Sequence, residues 1–251
     1  MAGHSKWANI KHKKARADAQ KGKIFSKISK EIMAAARQGG SDPNGNFRLR
    51  LALQKARSVN MPNDNITRAI QKGAGEVDGV NYEEIVYEGY GPAGTAVLLD
   101  ILTDNRNRTA GEIRHIFSRN GGSLGATGCV AWMFNRKGYL AVAAADADED
   151  ELMLQALDAG AADFTADDDL YEIYTAPDDF EAVKEKLEAA GYSFTEAEIT
   201  MIPENTVEVT DLDDARKVVS LIEALEDHDD VQNVYTNLDL PSEVAEALAN
   251  E

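Results

Sequence analysis

Residues 24–38 read IFSKISKEIMAAARQ and set the pattern for the N-terminal part of the chain. Ile24, Ile28 and Ile32 recur four positions apart, which is the spacing of one face of an α-helix. The basic residues fall on a second face: Lys23, Lys27, Lys30 and Arg37. The sequence therefore predicts an amphipathic helix that buries one face and presents a basic stripe on another, where it would bind nucleic acid.

The N-terminal segment 1–37, which includes most of this helix, is strongly basic. Residues 1–37 contain ten lysines and arginines against two acids, whereas the whole 251-residue chain has a net charge of −18. The candidate nucleic-acid ligands upstream of the helix are Lys6, Trp7, Lys11, Lys13, Lys14 and Arg16. A segment whose charge opposes that of the rest is typical of a flexible arm that neutralises phosphates, with the indole free to stack on a base. The alternative is a solvated tail that does nothing.

Two more short helices are predicted downstream. Leu49, Leu53 and Ala56 are spaced as on one helix face, so a helix is expected over about 46–59. A third begins at Pro62, a favourable first-turn residue, and Gly73 is expected to end it. The chain therefore begins with a small helical domain, followed by a glycine-rich linker.

The character of the sequence changes after the linker. Residues 85–90 and 95–102 are rich in β-branched and aromatic residues and are predicted to be strands. Gly89–Gly94 matches the G-x-G-x-x-G spacing of dinucleotide-binding loops, but that motif must open a helix and here a strand follows. We therefore expect a glycine-rich hairpin turn.

A second basic cluster lies in the segment 103–114. Thr109 and Glu112 have the spacing of a capping box, which predicts that a helix starts at Thr109. Arg106 and Arg108 would then lie just before the helix N-terminus, a suitable place for an anion, with Arg114 on the outer face. Equally, these arginines could pair with the protein's own acids.

The C-terminal half is acidic and alternates strands with helices. Residues 138–251 contain four bases against 32 acids. Two successive β-α-β patterns, over about 139–164 and 170–201, predict a ferredoxin-like sandwich. Acids concentrated here would repel a polyanion, so nucleic acid is expected to approach the basic part of the chain.

Several classes of protein are disfavoured by composition and motif. No apolar run is long enough to span a membrane, and one cysteine fits a reducing cytoplasm. The four histidines lack the spacing of a metal site, and no nucleophile elbow, P-loop or kinase motif is present. We therefore expect a cytoplasmic protein that is not an enzyme and has no cofactor, no bound metal and no membrane association.

Several long motifs together resemble one family. They are MAGHSKWANIKH (1–12), PNDNI (62–66), YEGYGP (87–92), TDNRNRT (103–109) and GGSLG (121–125). These stretches, spread over the whole chain, are similar to those of the YebC/PmpR family, which includes the mitochondrial translational activator of cytochrome c oxidase. The resemblance implies an α+β fold with an N-terminal three-helix domain followed by two ferredoxin-like α+β domains, the third inserted into the second.

Combining the resemblance with the sequence patterns gives an expected division of the chain. The segments are a basic arm (1–22), a helical domain with its linker (23–80), a discontinuous α+β domain (81–129 with 205–240), an acidic α+β domain (130–204) and a C-terminal helix (241–251). We expect a monomer.

The resemblance implies binding of DNA or structured RNA through the basic surface. Members of the family are described as DNA-binding transcriptional regulators, and that is the first hypothesis for this chain. The alternative is a ribosome-associated RNA-binding translation factor that relieves stalling at proline-rich stretches. A third hypothesis, a ligand-sensing or enzymatic α+β protein, rests on fold analogy alone.

Overall fold

A computed structural model describes residues 19–77, 80–166 and 169–249 of the chain. The described residues form two compact units: residues 19–129 with 213–234, and residues 130–212 with 235–249. The described helices are α1 (Ala19–Gly39), α2 (Phe47–Ser58), α3 (Asn63–Ala74), α4 (Arg106–Arg119), α5 (Glu149–Ala159), α6 (Phe180–Ala189), α7 (Leu212–Glu226) and α8 (Ser242–Ala249). The described strands are β1 (Glu83–Tyr90), β2 (Ala96–Thr103), β3 (Ser123–Leu124), β4 (Phe134–Ala143), β5 (Asp163–Ala166), β6 (Leu170–Thr175), β7 (Glu196–Pro203), β8 (Val207–Glu208), β9 (Val231–Thr236) and β10 (Leu238–Asp239).

The first three helices bury most of the apolar faces that their spacing predicts, although Ile24, the first isoleucine of the α1 face, is exposed. Ile28 and Ile32 of α1 share one core with Leu49 and Ala56 of α2 and with apolar residues of α3. Asn46 connects the helices: its side-chain oxygen accepts the N–H of Leu49 at the start of α2, and its amide donates to the α1 carbonyl of Ala35 at 2.8 Å. A single buried amide thus satisfies donors and acceptors at two helix ends.

The end of α3 differs from the prediction. Gly73 does not end the helix, which continues to Ala74 and is followed by Gly75 in the left-handed conformation. Gly73 is buried instead, because α1 and α3 approach closely at this point: a Cβ atom there would lie 2.8 Å from Cβ of Ala36 and would clash with the Met33 carbonyl. The glycine is therefore needed for helix packing rather than for a turn.

The first sheet has the strand order β3-β1-β2-β9. β1 and β2 form an antiparallel hairpin in which Glu83 pairs with Thr103 and Tyr90 with Ala96. The intervening segment is a short 3-10 turn at Pro92–Gly94, so the predicted hairpin turn is confirmed. Buried residues of the hairpin, α4, α7 and β9 share one core.

The predicted capping box is wrong. Helix α4 starts three residues earlier, at Arg106, and Asn105 is its N-cap, accepting the N–H of Arg108. Thr109 is buried inside the first turns, where its hydroxyl contacts other side chains instead of capping. Arg106 and Arg108 consequently belong to the helix itself and do not precede it.

The second sheet has the strand order β5-β6-β4-β7, with all neighbouring strands antiparallel. Its chain order β4-α5-β5-β6-α6-β7 is that of a ferredoxin-like sandwich, as predicted. Leu140, Leu152 and Val183 belong to the core between this sheet and its two helices. In the same unit, the short strands β8 and β10 form a parallel pair.

The predicted fold class is confirmed: three N-terminal helices are followed by α+β sheets, and the segment 130–212 separates the two parts of the first unit. Only the second sheet has the β-α-β-β-α-β order, because the first begins with a hairpin. The finer division into five segments stays a prediction. No helix among the described residues combines the length and apolarity needed to cross a membrane.

We predict that Gly73→Ala lowers the free energy of unfolding by about 1–3 kcal/mol, because the added methyl group overpacks the contact between α1 and α3. Urea unfolding followed by circular dichroism measures the change. Gly111→Ala is the matched control, since the space around Gly111 of α4 is open and alanine favours a helix. Equal effects of the two substitutions would contradict the close approach of the helices.

Candidate nucleic-acid interface

The residues that the sequence favoured as nucleic-acid ligands fall into three groups in the structure. The first group lies outside the described residues: Lys6, Trp7, Lys11, Lys13, Lys14 and Arg16. Their assignment to a nucleic-acid-binding arm therefore stays a prediction. The second group is the basic stripe of α1, and the third is the arginines of α4.

The basic stripe of α1 contacts the turn between α7 and β9, residues 226–230. Lys23 Nζ lies 2.5 Å from Oδ1 of Asp227, and Lys27 Nζ donates to the Glu226 carbonyl at 2.5 Å. Ammonium groups at the last carbonyls of a helix are favourable because those carbonyls lack partners and lie at the negative end of the helix dipole. These two lysines therefore bind the C-terminus of α7.

Lys30 makes the most buried of these contacts. Its Nζ atom donates to Oδ1 of Asp230 at 2.7 Å and to the Asp229 carbonyl at 2.9 Å. The Lys30 side chain is 15% exposed and that of Asp230 is 5% exposed, whereas Lys23 and Asp227 are 45% and 70% exposed. Among the lysines of the stripe, Lys30 is thus part of the protein interior.

Asp230 joins four parts of the chain. Besides Lys30, its carboxylate has three donors at 2.8–3.0 Å: the hydroxyls of Thr103 and Thr109 and the guanidinium of Arg108. The donors come from three parts of the chain, namely α1, the end of β2 and the first turns of α4. Asp230 itself lies in the fourth, the turn that directly precedes β9. A buried carboxylate needs such partners, because leaving its charge unpaired away from water is costly.

The hydrogen bonds to Asp230 also control its protonation. Burial raises the pKa of this carboxyl group, but the hydrogen bonds from Lys30, Arg108 and Thr109 outweigh burial and hold the pKa well below its ordinary value of 3.8. A pKa lowered by folding means that ionised Asp230 stabilises the native state. That contribution is fully present above the ordinary pKa and is lost as the pH falls through the lowered one.

Glu112, His228 and Asp230 offer ligand atoms within 4.8 Å of one another, which is close enough for a metal ion. The ring of His228 is already engaged, since Nδ1 accepts the N–H of Asp230 at 3.1 Å and Nε2 lies 2.9 Å from Oε2 of Glu112. Lys30 and Arg108 bring two positive charges to the same carboxylate of Asp230. A metal would have to displace these cations, so the cluster fits an internal hydrogen-bond network better than a metal site.

The three candidate arginines of α4 have different environments. Arg108 pairs with Asp104 and Asp230, each at 2.8 Å, so the interpretation that it pairs with the protein's own acids holds for this residue. Arg106 and Arg114 are exposed and contact no carboxylate among the described residues. They are the members of this group that stay available to an anion.

Further arginines on the helical region were not among the candidates. Arg50 and Arg57 lie seven residues apart on one face of α2, and Arg68 is on α3. All three are exposed, as is Arg37 at the end of α1, and none contacts a carboxylate within the part of the chain that the structure describes. Arg50 stacks over the exposed ring of Phe47 at 5.5 Å. Their helical spacing was the signal that could have identified the α2 pair.

One buried carboxylate of the second unit has no charged partner in its hydrogen bonds. Glu172 is 2% exposed and accepts hydrogen bonds from the hydroxyls of Tyr139, Tyr174 and Thr165, each at 3.0 Å. Burial and the neighbouring Glu172 raise the pKa of both tyrosines, which therefore stay protonated donors. The cluster supports the sheet and offers no activated nucleophile.

Two family models match the chain. The model described as "TACO1/YebC protein N-terminal domain" matches residues 5–76, and that of the "TACO1/YebC second and third domain" matches residues 82–238. Together they cover most of the chain.

Relatives of similar length are also found. A "Probable transcriptional regulatory protein" of Halothermothrix orenii is 60% identical over the whole of both chains. One of the same name from Desulfitobacterium hafniense is 58% identical over 98% of each chain. The crystal structure of a conserved hypothetical protein from Aquifex aeolicus has a TM-score of 0.79 and 48% identity, covering 90% of this chain and 93% of that one.

We predict that Asp230→Ala lowers the free energy of unfolding at pH 7 by about 3–5 kcal/mol, because Lys30 and Arg108 lose their buried counter-ion. The difference from the wild-type chain shrinks as the pH falls below 3.8, because the unfolded state then binds a proton that the native carboxylate, with its lowered pKa, does not bind. Urea unfolding at pH 7, 5 and 3 measures both effects. Asp227→Ala is the control, and a pH-independent penalty at Asp230 would refute the assignment.

The lysines of α1 should differ in their effect on stability according to their exposure. Lys30→Ala is expected to cost about 2 kcal/mol because it removes a charged hydrogen bond from a buried site. Lys23→Ala should cost less than about 1 kcal/mol, since its ion pair is exposed to water. Thermal and urea unfolding of the two variants test this order, and a reversed order would show that the stripe is not anchored at Lys30.

Proposed function

Because the chain belongs to the TACO1/YebC family, we propose that it is a nucleic-acid-binding regulator of gene expression that acts in transcription by binding DNA. The proposal includes a cytoplasmic location and no catalytic step. The names of the relatives support regulation, and the chemistry of the surface supports nucleic acid as the ligand.

The observation that carries the proposal is the set of arginines whose charge is not neutralised by the protein's own acids. Residues 19–77 contain eleven bases and four acids, although the whole chain is strongly acidic. Lys23, Lys27 and Lys30 are used internally, which leaves the exposed arginines of this region, namely Arg37, Arg50, Arg57 and Arg68, as the phosphate-binding surface. Guanidinium groups bind phosphate oxygens through paired N–H donors.

The arginine–aromatic pair on α2 suits the same ligand. Phe47 is 45% exposed at the first position of α2, and the guanidinium of Arg50 lies over its ring. An exposed aromatic face next to a cation is favourable beside the sugars and bases of a nucleic acid. Residues 1–18, the part of the predicted basic arm (1–22) that lies outside the described residues, would add phosphate contacts, and Arg106 and Arg114 would form a separate anion-binding patch.

We predict that replacing Arg50, Arg57 and Arg68 together by alanine weakens binding to duplex DNA and makes it less sensitive to salt. Each arginine that binds a phosphate releases bound counter-ions, so the slope of log K against log salt should fall by about 0.9 for each phosphate that is no longer neutralised. Fluorescence anisotropy with a labelled duplex between 50 and 200 mM salt measures affinity and slope. Removal of residues 1–18 tests the arm in the same assay.

The matched control removes the same charge from three bases that already pair with acids: Lys55, Arg216 and Lys217. This triple alanine variant should keep the salt slope of the wild-type chain. Equal reductions in affinity for the two variants would mean that overall charge, and not the arginine surface, drives binding. Tighter binding to structured RNA than to duplex DNA would overturn the DNA assignment in favour of a role in translation.

A further inference from the structure

Helix α2 differs from the other described helices in its charge, because it carries four bases and no acid. Two of these bases contact acids elsewhere in the same unit: Arg48 pairs with Glu84 at 2.5 Å, and Lys55 lies 3.4 Å from Glu31. The other two, Arg50 and Arg57, are the exposed arginines assigned above to phosphate. The helix is therefore held to the unit on one side and leaves positive charge free on another.

The solvent-facing side of α2 carries Phe47, Arg50, Gln54 and Arg57. Their spacing of three, four and three residues places them on one face of a helix, and all four are exposed. The buried residues of α2 lie on the opposite face, in the core of the three helices. At a rise of about 1.5 Å per residue, Gln54 lies about 6 Å along the axis from Arg50 and about 4.5 Å from Arg57. An uncharged amide thus lies between two cations.

The side chain of Gln54 has no hydrogen-bonding partner within the ranges of the chain that the structure describes. A glutamine amide offers one acceptor and two donors. In the major groove of duplex DNA, adenine presents the complementary pair, the N6 donor and the N7 acceptor, so that glutamine binds it with two hydrogen bonds. A helix of about 10–12 Å diameter fits a groove about 12 Å wide, which has rows of phosphates on both sides.

The other helices of the first unit suit the groove less well. The basic stripe of α1 contacts residues 226–230 of the protein itself. Helix α3 has an exposed acid, Asp64, in its first turn, and α4 carries exposed Glu112. A carboxylate on the helix face would be repelled by the phosphates at the edges of the groove. Helix α2 has no such group.

We propose that α2 lies in the major groove of duplex DNA, where Gln54 binds the N6 and N7 atoms of an adenine and Arg50 and Arg57 bind flanking phosphates. The inference rests on the proposed function and names the residue that reads the bases. Phosphate contacts position a protein on DNA without reading its sequence, whereas contacts with base edges distinguish one base from another. Gln54 is thus the specificity-determining residue of the surface, and the arginines supply affinity.

The experiment uses the full-length chain and two labelled duplexes of the same sequence, rich in A·T pairs. In the second duplex every adenine is replaced by 7-deazaadenine, which removes the N7 acceptor from the major groove and leaves the phosphates and the base pairing unchanged. We expect fluorescence anisotropy to show that the modified duplex binds about fivefold more weakly or worse, because the Gln54 amide loses its acceptor. This comparison uses the native protein and does not depend on the folding of a variant.

A second measurement assigns the effect to Gln54. The Gln54→Ala variant should bind the two duplexes within twofold of each other and keep the salt slope of the wild-type chain, because no phosphate contact is lost. The matched control is Gln71→Ala, which removes an exposed glutamine from the neighbouring helix α3. It should keep the preference of the wild-type chain for the unmodified duplex. Alanine favours a helix at both positions, so both variants are expected to fold.

The outcomes separate the two proposals. Equal binding of both duplexes by the wild-type chain overturns the reading of adenine and leaves the proposed function in place. A preference for the unmodified duplex that survives in Gln54→Ala, or that is lost equally in Gln71→Ala, overturns the assignment to Gln54. No binding of either duplex at low salt overturns the proposed binding of DNA and the reading of adenine with it.

Discussion

The first unit depends on a single buried carboxylate, that of Asp230. Its donors lie about 120 to 200 residues away along the chain, in α1, at the end of β2 and in α4. The backbone takes part as well, since the Asp230 carbonyl accepts the N–H of Leu102 at 2.8 Å. Because an ionised group at 5% exposure is costly without hydrogen-bonding partners, this residue links the helices and the sheet of the unit.

This constraint decides which basic residues can serve a ligand. A lysine that neutralises Asp230 or binds the last carbonyls of α7 cannot contact a phosphate without breaking an internal interaction. The same helix carries Arg37, which is exposed and near the negative end of its own helix. Positive charge in a sequence therefore has two uses that only the fold distinguishes. Here the lysines near the 226–230 turn and Arg108 are bound to groups of the protein itself, whereas Arg37, Arg50, Arg57 and Arg68 are exposed.

The local features of the fold were predictable because they depend on neighbouring residues. Isoleucines four apart identified α1, and the alternation of strands and helices identified the ferredoxin-like sandwich. The start of α4 was misplaced because Asn105 and Thr109 are both good capping residues, and the choice between them depends on Asp230, which binds Thr109 from over a hundred positions away. Likewise, Gly73 was assigned to a helix end because no local signal reveals that α1 packs against it.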